Sequence, residues 1–345
     1  MTESFGRSRA LTVATAGLLA LGLAACQGKD RAAPQHTGAP SSPGPGSPTA
    51  TTPPGATPLP SNVPTADSTA TAAPAGNHRC PAYPTPACTG APHTLTAMRA
   101  VRLNVDNDAL LVDKPGTVLD GVHVPGNLVI AADRVTIRNS VIDGRVTNDY
   151  KDQNHPFTIT DSTVGRPDRC VSEDGIGTAR YRASGVLVRG FSHGFKVSGD
   201  AARGGDVEIT DSYVKNCSNG ADHADGIQVW GVRDARHLLV RHSTFDQRGV
   251  SDFTAPLFLA DSAGGTISDV TVDSNLVAGG TYSIQLKHVA GHVVVRDNRM
   301  VDRTWSYAPV ESWCHAIQSW TGNTVVTIDP NYKITSTVRP LPCTE

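Results

Sequence analysis

The stretch Val135-Thr-Ile-Arg-Asn-Ser-Val-Ile142 returns in altered form through the rest of the chain. It reads next as Phe157-Thr-Ile-Thr-Asp-Ser-Thr-Val164, Val186-Leu-Val-Arg-Gly-Phe-Ser-His193 and Val207-Glu-Ile-Thr-Asp-Ser-Tyr-Val214. Further copies are Leu238-Leu-Val-Arg-His-Ser-Thr-Phe245, Val270-Thr-Val-Asp-Ser-Asn-Leu-Val277 and Val293-Val-Val-Arg-Asp-Asn-Arg-Met300, with a weaker one from Val325. The starts are spaced by 22, 29, 21, 31, 32, 23 and 32 residues. A repeat of this size implies a stacked architecture. Apolar residues occupy the first, third and usually the eighth position. Alternation at one and three is strand periodicity. The jump to eight breaks it, and Asn, Asp, Ser or Gly fills most of positions five and six, as a corner requires. Each copy therefore predicts strand, corner, strand.

No helical period separates the copies, so the strands are expected to pair in parallel by winding, one coil per repeat. An antiparallel sandwich or propeller would favour Asn-Gly hairpins; the single Asn219-Gly220 joins no two copies. The expected fold class is all-β: a right-handed parallel β-helix over residues 79–345.

The segments ahead of it differ sharply. Residues 10–25 carry no charge and are mostly Ala, Leu, Gly and Val, behind a polar start with Arg7 and Arg9. The run is shorter than the roughly 18 residues of a membrane span and predicts a signal-peptide core. It ends in Leu23-Ala24-Ala25-Cys26, which resembles the lipobox of bacterial lipoproteins. Residues 1–26 are thus expected to be a lipoprotein signal, with Cys26 lipidated and holding the protein on the outer face of the cell membrane. Residues 27–78 read as a disordered linker. Residues 31–78 hold 11 prolines and no Phe, Trp or Tyr, with Leu59 and Val63 the only large aliphatics. Such a segment cannot bury enough apolar surface to fold, and proline keeps it extended.

Cys80, Cys88, Cys170, Cys217, Cys314 and Cys343 remain. An even count in an exported domain favours disulfides, whose pairing the sequence leaves open. Local pairing suggests Cys80–Cys88 and Cys314–Cys343, which leaves Cys170–Cys217. A zinc site is the rival, but no CxxC or HxxxH spacing is present. A net charge of −2 offers no basic field for nucleic acid.

A second strand is expected between copies: Gly194-Phe-Lys-Val-Ser198, Gly226-Ile-Gln-Val-Trp230, Pro256-Leu-Phe-Leu-Ala260, Ser283-Ile-Gln-Leu-Lys287 and Ala316-Ile-Gln-Ser-Trp320. Alternation turns Lys196, Gln228, Phe258, Gln285 and Gln318 outward in one column, with Ser198, Trp230, Ala260, Lys287 and Trp320 in the next. Trp rings suit pyranose faces, Gln amides suit hydroxyls, and Lys suits carboxylates. The loop Asn219-Gly-Ala-Asp-His-Ala-Asp-Gly226 sets Asp222, His223 and Asp225 at the lip, with Tyr282, His288 and His315 near equivalent edges. Solvated Gln and Lys, and a turn rich in Asn, Asp and Gly for conformational reasons, are the plainer readings of the same residues.

Pro115-Gly-Thr-Val-Leu-Asp-Gly121, Val135-Thr-Ile-Arg-Asn-Ser140 and His223-Ala-Asp-Gly-Ile-Gln228 resemble the pectate-lyase-like superfamily of right-handed parallel β-helix proteins, and within it a group of exported actinobacterial proteins. The resemblance covers about residues 90–330. It implies an extracellular or cell-wall polysaccharide as partner, engaged by a monomer. It is specific for fold rather than activity, since the fold carries lyases, hydrolases, epimerases, esterases and adhesins. The favoured expectation is β-elimination from an acidic glycan. Lys287 or His223 is the base, Lys196 or Arg248 neutralises charge, and Asp222 and Asp225 hold Ca²⁺. Hydrolysis by Asp222 and Asp225 would need carboxyls roughly 6.5–9.5 Å apart in an inverting site. The third reading is a binding module without chemistry.

Overall fold

A computed structural model describes residues 80–345 apart from 93–94, 106–107, 201–204, 221–222, 234 and 261–264. The signal segment with Cys26, the linker and Asp222 lie outside the described residues. The rest falls in one compact unit, Ala70–Glu345.

The chain is all-β, and almost every strand pairing is parallel. It visits three sheets in rotation. The first has nine strands and includes Val135–Arg138, Phe157–Thr160, Tyr181–Ser184, Val207–Thr210 and Ser319–Thr321. The second has eleven, among them Val141–Ile142, Leu187–Arg189, Tyr213–Lys215 and Thr244–Asp246. The third has nine, including Phe191–Asp200, Asp225–Arg233, Leu257–Ala260, Tyr282–Lys287 and Ala308–Ser312. Each strand pairs with its counterpart one turn away, the arrangement expected of a parallel β-helix.

The repeat explains the winding residue by residue. Positions one and three fill the interior: Val135, Ile137, Phe157, Ile159, Val207, Ile209, Leu238, Val240, Val270 and Val272 are buried in one continuous core. Position eight does the same from the second sheet, through Ile142, Val164, Val214, Phe245, Val277 and Met300. Each such side chain contributes about 1.5–3 kcal/mol on leaving water. Position five is the corner itself. Asn139, Asp161, Asp211, His242, Ser274 and Asp297 all take left-handed backbone angles, with φ between 44° and 58°. Asn and Asp tolerate that region best among residues with a Cβ, and at Gly185 and Gly322, both at φ 66°, glycine removes the penalty altogether. Position six then points inward and closes a polar ladder. Ser140 N–H donates to Ser162 Oγ (3.1 Å), Ser212 to Ser243 Oγ (3.2 Å), and Ser243 to Asn275 Oδ1 (3.0 Å). Asn275 and Asn298 continue it, donating to Asn298 and Asn323 Oδ1 at 3.0 Å each.

Two copies are displaced from the expected register. The third begins at Tyr181, which pairs with Phe157 and Val207, not at Val186. Val186 occupies position six, where an apolar residue replaces the usual Ser or Asn and imitates a strand start. The last begins beside Ser319, the partner of Val294. Val325 is a position-eight residue paired with Met300.

All three disulfides join the suggested partners: Cys80–Cys88, Cys170–Cys217 and Cys314–Cys343. The C-terminal strand Ile334–Pro340 folds back antiparallel on Thr324–Ile328 and covers the end of the second sheet. Among the described residues no helix is long and apolar enough to cross a membrane.

Candidate functional site

The third sheet carries the expected outward column over four coils. Lys196 pairs with Gln228, Gln228 with Phe258 and Phe258 with Gln285. The fifth member is Glu311, the partner of Gln285, and not Gln318. The segment Ala316–Trp320 leads instead into the first sheet. Its Ile-Gln pair copies the dipeptide of the third-sheet strands, whereas the true strand, Ala308–Ser312, shares only their alternation. Gln318 consequently caps a coil: its amide oxygen accepts the Val293 N–H. Trp320 packs against the core, and its Nε1 donates to the Leu341 carbonyl at 2.7 Å. Neither residue lies on the third-sheet face.

At the head of the face the residues form a connected chain. Stacked glycines create it. A Cβ on Gly194 would lie 2.5 Å from Gly226 O and 2.6 Å from Val214 Cγ1, and one on Gly226 would lie 2.3 Å from Pro256 O. The bare backbone therefore turns into the interior here. His193 and Asp225 on one side of the turn reach Gln228 and Lys196 on the other. Lys196 Nζ donates to Gln228 Oε1. Gln228 Nε2 donates to Asp225 Oδ2 at 3.2 Å and lies 3.3 Å from His193 Nε2. His193 Nδ1 faces Asp225 Oδ2 at 3.4 Å; a proton on Nδ1 would serve that carboxylate and leave Nε2 to accept from the Gln228 amide. Burial pushes the Asp225 carboxyl up, against the pull of His193, the Ala255 N–H and Gln228. Trp230, 46% exposed, lies with its ring centroid 6.0 Å from Lys196 Nζ.

A second station lies toward the C-terminus. Lys287 Nζ is ion-paired with Glu311 Oε1 at 2.8 Å, and Gln285 Nε2 donates to Glu311 Oε2 at 2.5 Å. Burial acts to raise the Glu311 carboxyl, but these two partners hold it below its ordinary value. Trp313, whose backbone N–H bonds the Leu286 carbonyl, follows the last strand of the face in line with Lys287. It contacts His288 and His315, with ring centroids 4.6 and 5.8 Å apart. Tyr307, 75% exposed, meets Tyr282 edge-on at 5.7 Å.

The remaining expected residues fall as follows. His223 is 73% exposed, with Nδ1 2.5 Å from Asp252 Oδ1. His315 is paired with Glu345 at 3.0 Å. Arg248 clamps Asp246 in two bonds on the second sheet, away from the face. Asp225 fits a cation poorly: it is 2% exposed, Oδ1 accepts from Ala255 N–H at 3.2 Å, and Oδ2 serves His193 and Gln228. Among the described residues no three His, Cys, Asp or Glu side chains converge as a metal site. His193, Glu311 and Trp313 escaped the sequence reading. Glu311 was open to detection from the alternation of Ala308-Pro-Val-Glu-Ser312, while His193 needed the glycine turn to be known.

Sheet neighbours sit about 4.8 Å apart, so Trp230 and Trp313, three coils apart, stand roughly 14 Å from each other along the face. The arrangement offers two exposed indoles beside a column of ammonium, amides, the Phe258 ring and one carboxylate. Compared with protein-family models, with curated proteins and with solved structures, the chain matches none.

Proposed function

We propose that the chain is a membrane-tethered, right-handed parallel β-helix protein of pectate-lyase-like type whose third-sheet face holds an extended acidic polysaccharide. The handedness is that of nearly every parallel crossover. The tether is the Cys26 lipid and the Pro-rich linker. The observation that carries the reading is an exposed indole close to a lysine at each station: Trp230 beneath Lys196 Nζ, and Trp313 next in register to Lys287 on the neighbouring coil. Exposed indoles facing a polar row mark binding surfaces, and lysines beside them favour carboxylate-bearing rings.

Binding is preferred over turnover because the expected bases are already engaged. Lys287 is tied to Glu311, and His223 stands in solvent against Asp252. β-Elimination is the second reading, favoured by one feature, the Asp225–His193–Gln228–Lys196 chain. It ends on Lys196 and would make that residue, not Lys287, the base. No step is assigned to calcium. The test is the full chain mixed with polygalacturonate, alginate and a neutral glucan, followed by ultraviolet absorbance and by migration in gels containing each glycan. Retardation by the uronates with a flat absorbance is expected. Growth of an unsaturated-uronate signal that disappears in Lys196→Ala would install the lyase reading instead. Neither retardation nor absorbance would remove both.

A further inference from the structure

Away from the third-sheet face, the last positions of three neighbouring second-sheet strands bring Arg189, Lys215 and Asp246 into one column. Beside it lies a hollow of about 270 Å³ lined by Arg169, Arg189 and Lys215, with Pro86, Pro167 and Leu187 as apolar wall. The Cys170–Cys217 disulfide ties the Arg169 loop to the loop that follows Lys215.

Two observations point to what the hollow takes. The first is charge. The carboxylates nearest to it are already claimed, Asp246 by Arg248 and Lys215 and Asp168 by Arg166 in two bonds of 2.9 and 2.6 Å. Among the described residues Arg169 and Arg189 have no ion pair, so the lining is left positive. The second is an unmet donor. Arg189 Nε is shut off from solvent without a hydrogen-bond partner, and burial lowers the guanidinium from its usual value with only Asp168 opposing. A buried donor without an acceptor is costly, and a guanidinium answers best to the two oxygens of one anionic group.

We propose that this hollow is a second binding site, which takes the carboxylate of a single uronic-acid ring against Arg189 and Arg169. The apolar wall accommodates a compact organic body, and the volume is near the lower end for small-ligand pockets. The site is separate from the polysaccharide face: no residue of the Lys196 column lines it. Asn216 connects the two, since its Nδ2 donates to the Ser192 and Asp225 carbonyls at 2.8 Å each. Occupancy therefore bears on the strand that carries His193.

Calorimetric titration of the full chain with monomeric galacturonate, galactose and inorganic phosphate tests this. Galacturonate is expected to bind, weakening as salt is raised, and galactose is not. Arg189→Gln and the exposed Arg169→Gln should each reduce galacturonate affinity tenfold or more, with melting temperatures checked for both. The Arg169→Gln protein should still be retarded by polygalacturonate as strongly as wild type, because Arg169 lies off the third-sheet face, so failure here is distinguishable from failure of the polysaccharide reading. Equal binding of galactose, tighter binding of phosphate than of galacturonate, or wild-type affinity in Arg169→Gln would each overturn the proposal.

Discussion

At the scale of single residues, the corner does more work than its two positions suggest. Position five must accept a left-handed backbone, and position six must hand a hydrogen-bond acceptor to the coil below. Asn298 fulfils the second task twice over: Oδ1 accepts from Asn275 N–H and Nδ2, and Nδ2 donates to Val272 O at 2.9 Å. Asn298→Ala strands these buried partners and is expected to cost about 2–3 kcal/mol in denaturant unfolding; a change within a few tenths would deny the ladder its role. Asp246 makes a pH prediction. It is buried beneath Arg248, Lys215 and Tyr332 OH (2.8 Å). Burial acts to raise its carboxyl, but Arg248 and Lys215 hold it below the ordinary value. A carboxyl depressed in the folded state stabilises fully above its unfolded value of about 3.9 and loses that contribution as pH falls through the lower folded value. Acid melting followed by tyrosine fluorescence should therefore show a loss below about pH 4 that Asp246→Asn flattens.

Among elements, the strands were more legible than their register. Alternation places Ile227, Val229, Leu257 and Ile284 in the interior, where they are. Two segments misled for a physical reason. Val186 filled a corner slot with a β-branched residue, and Ala316-Ile-Gln318 repeated a dipeptide of another sheet. Local pattern states which residues alternate; it does not state which sheet a strand joins, because that depends on the length of the preceding loop. The face was read correctly where strands were regular, at Lys196, Gln228 and Gln285, and incorrectly at the last coil, where the chain runs through Ala308–Ser312 before the Cys314–Cys343 disulfide. That disulfide fastens the final coil. In the loop-entropy account, closing 29 residues of separation is worth about 3–4 kcal/mol. Cys314→Ser with Cys343→Ser should lower the melting temperature and loosen Trp313 first, visible as a red shift of tryptophan emission before global unfolding. Simultaneous loss of all signals would place the disulfide's contribution elsewhere.

For the whole molecule, the order of segments matters more than any one contact. In the proposed arrangement, a lipid on Cys26 and a Pro-rich segment of some fifty residues would tether the β-helix to the membrane surface. Labelled palmitate should enter the wild-type chain expressed in a bacterial host, and Cys26→Ser should release the protein to the medium unlabelled; label retained in the Cys26→Ser protein would place the anchor at another residue. The face itself is neither uniformly basic nor apolar, so the proposed attraction would be local: a ring, a cation and an amide at each station. Such a surface would gain affinity by engaging both stations at once.

The most direct test of that account is retardation of the full chain in gels containing polygalacturonate, comparing wild type with Trp230→Ala and Trp313→Ala. The account predicts retarded wild type, about tenfold weaker binding for each single variant, near 1.4 kcal/mol apiece, and no retardation when both are replaced. Wild-type migration unaffected by the glycan, or both variants retarded as strongly as wild type, would contradict it.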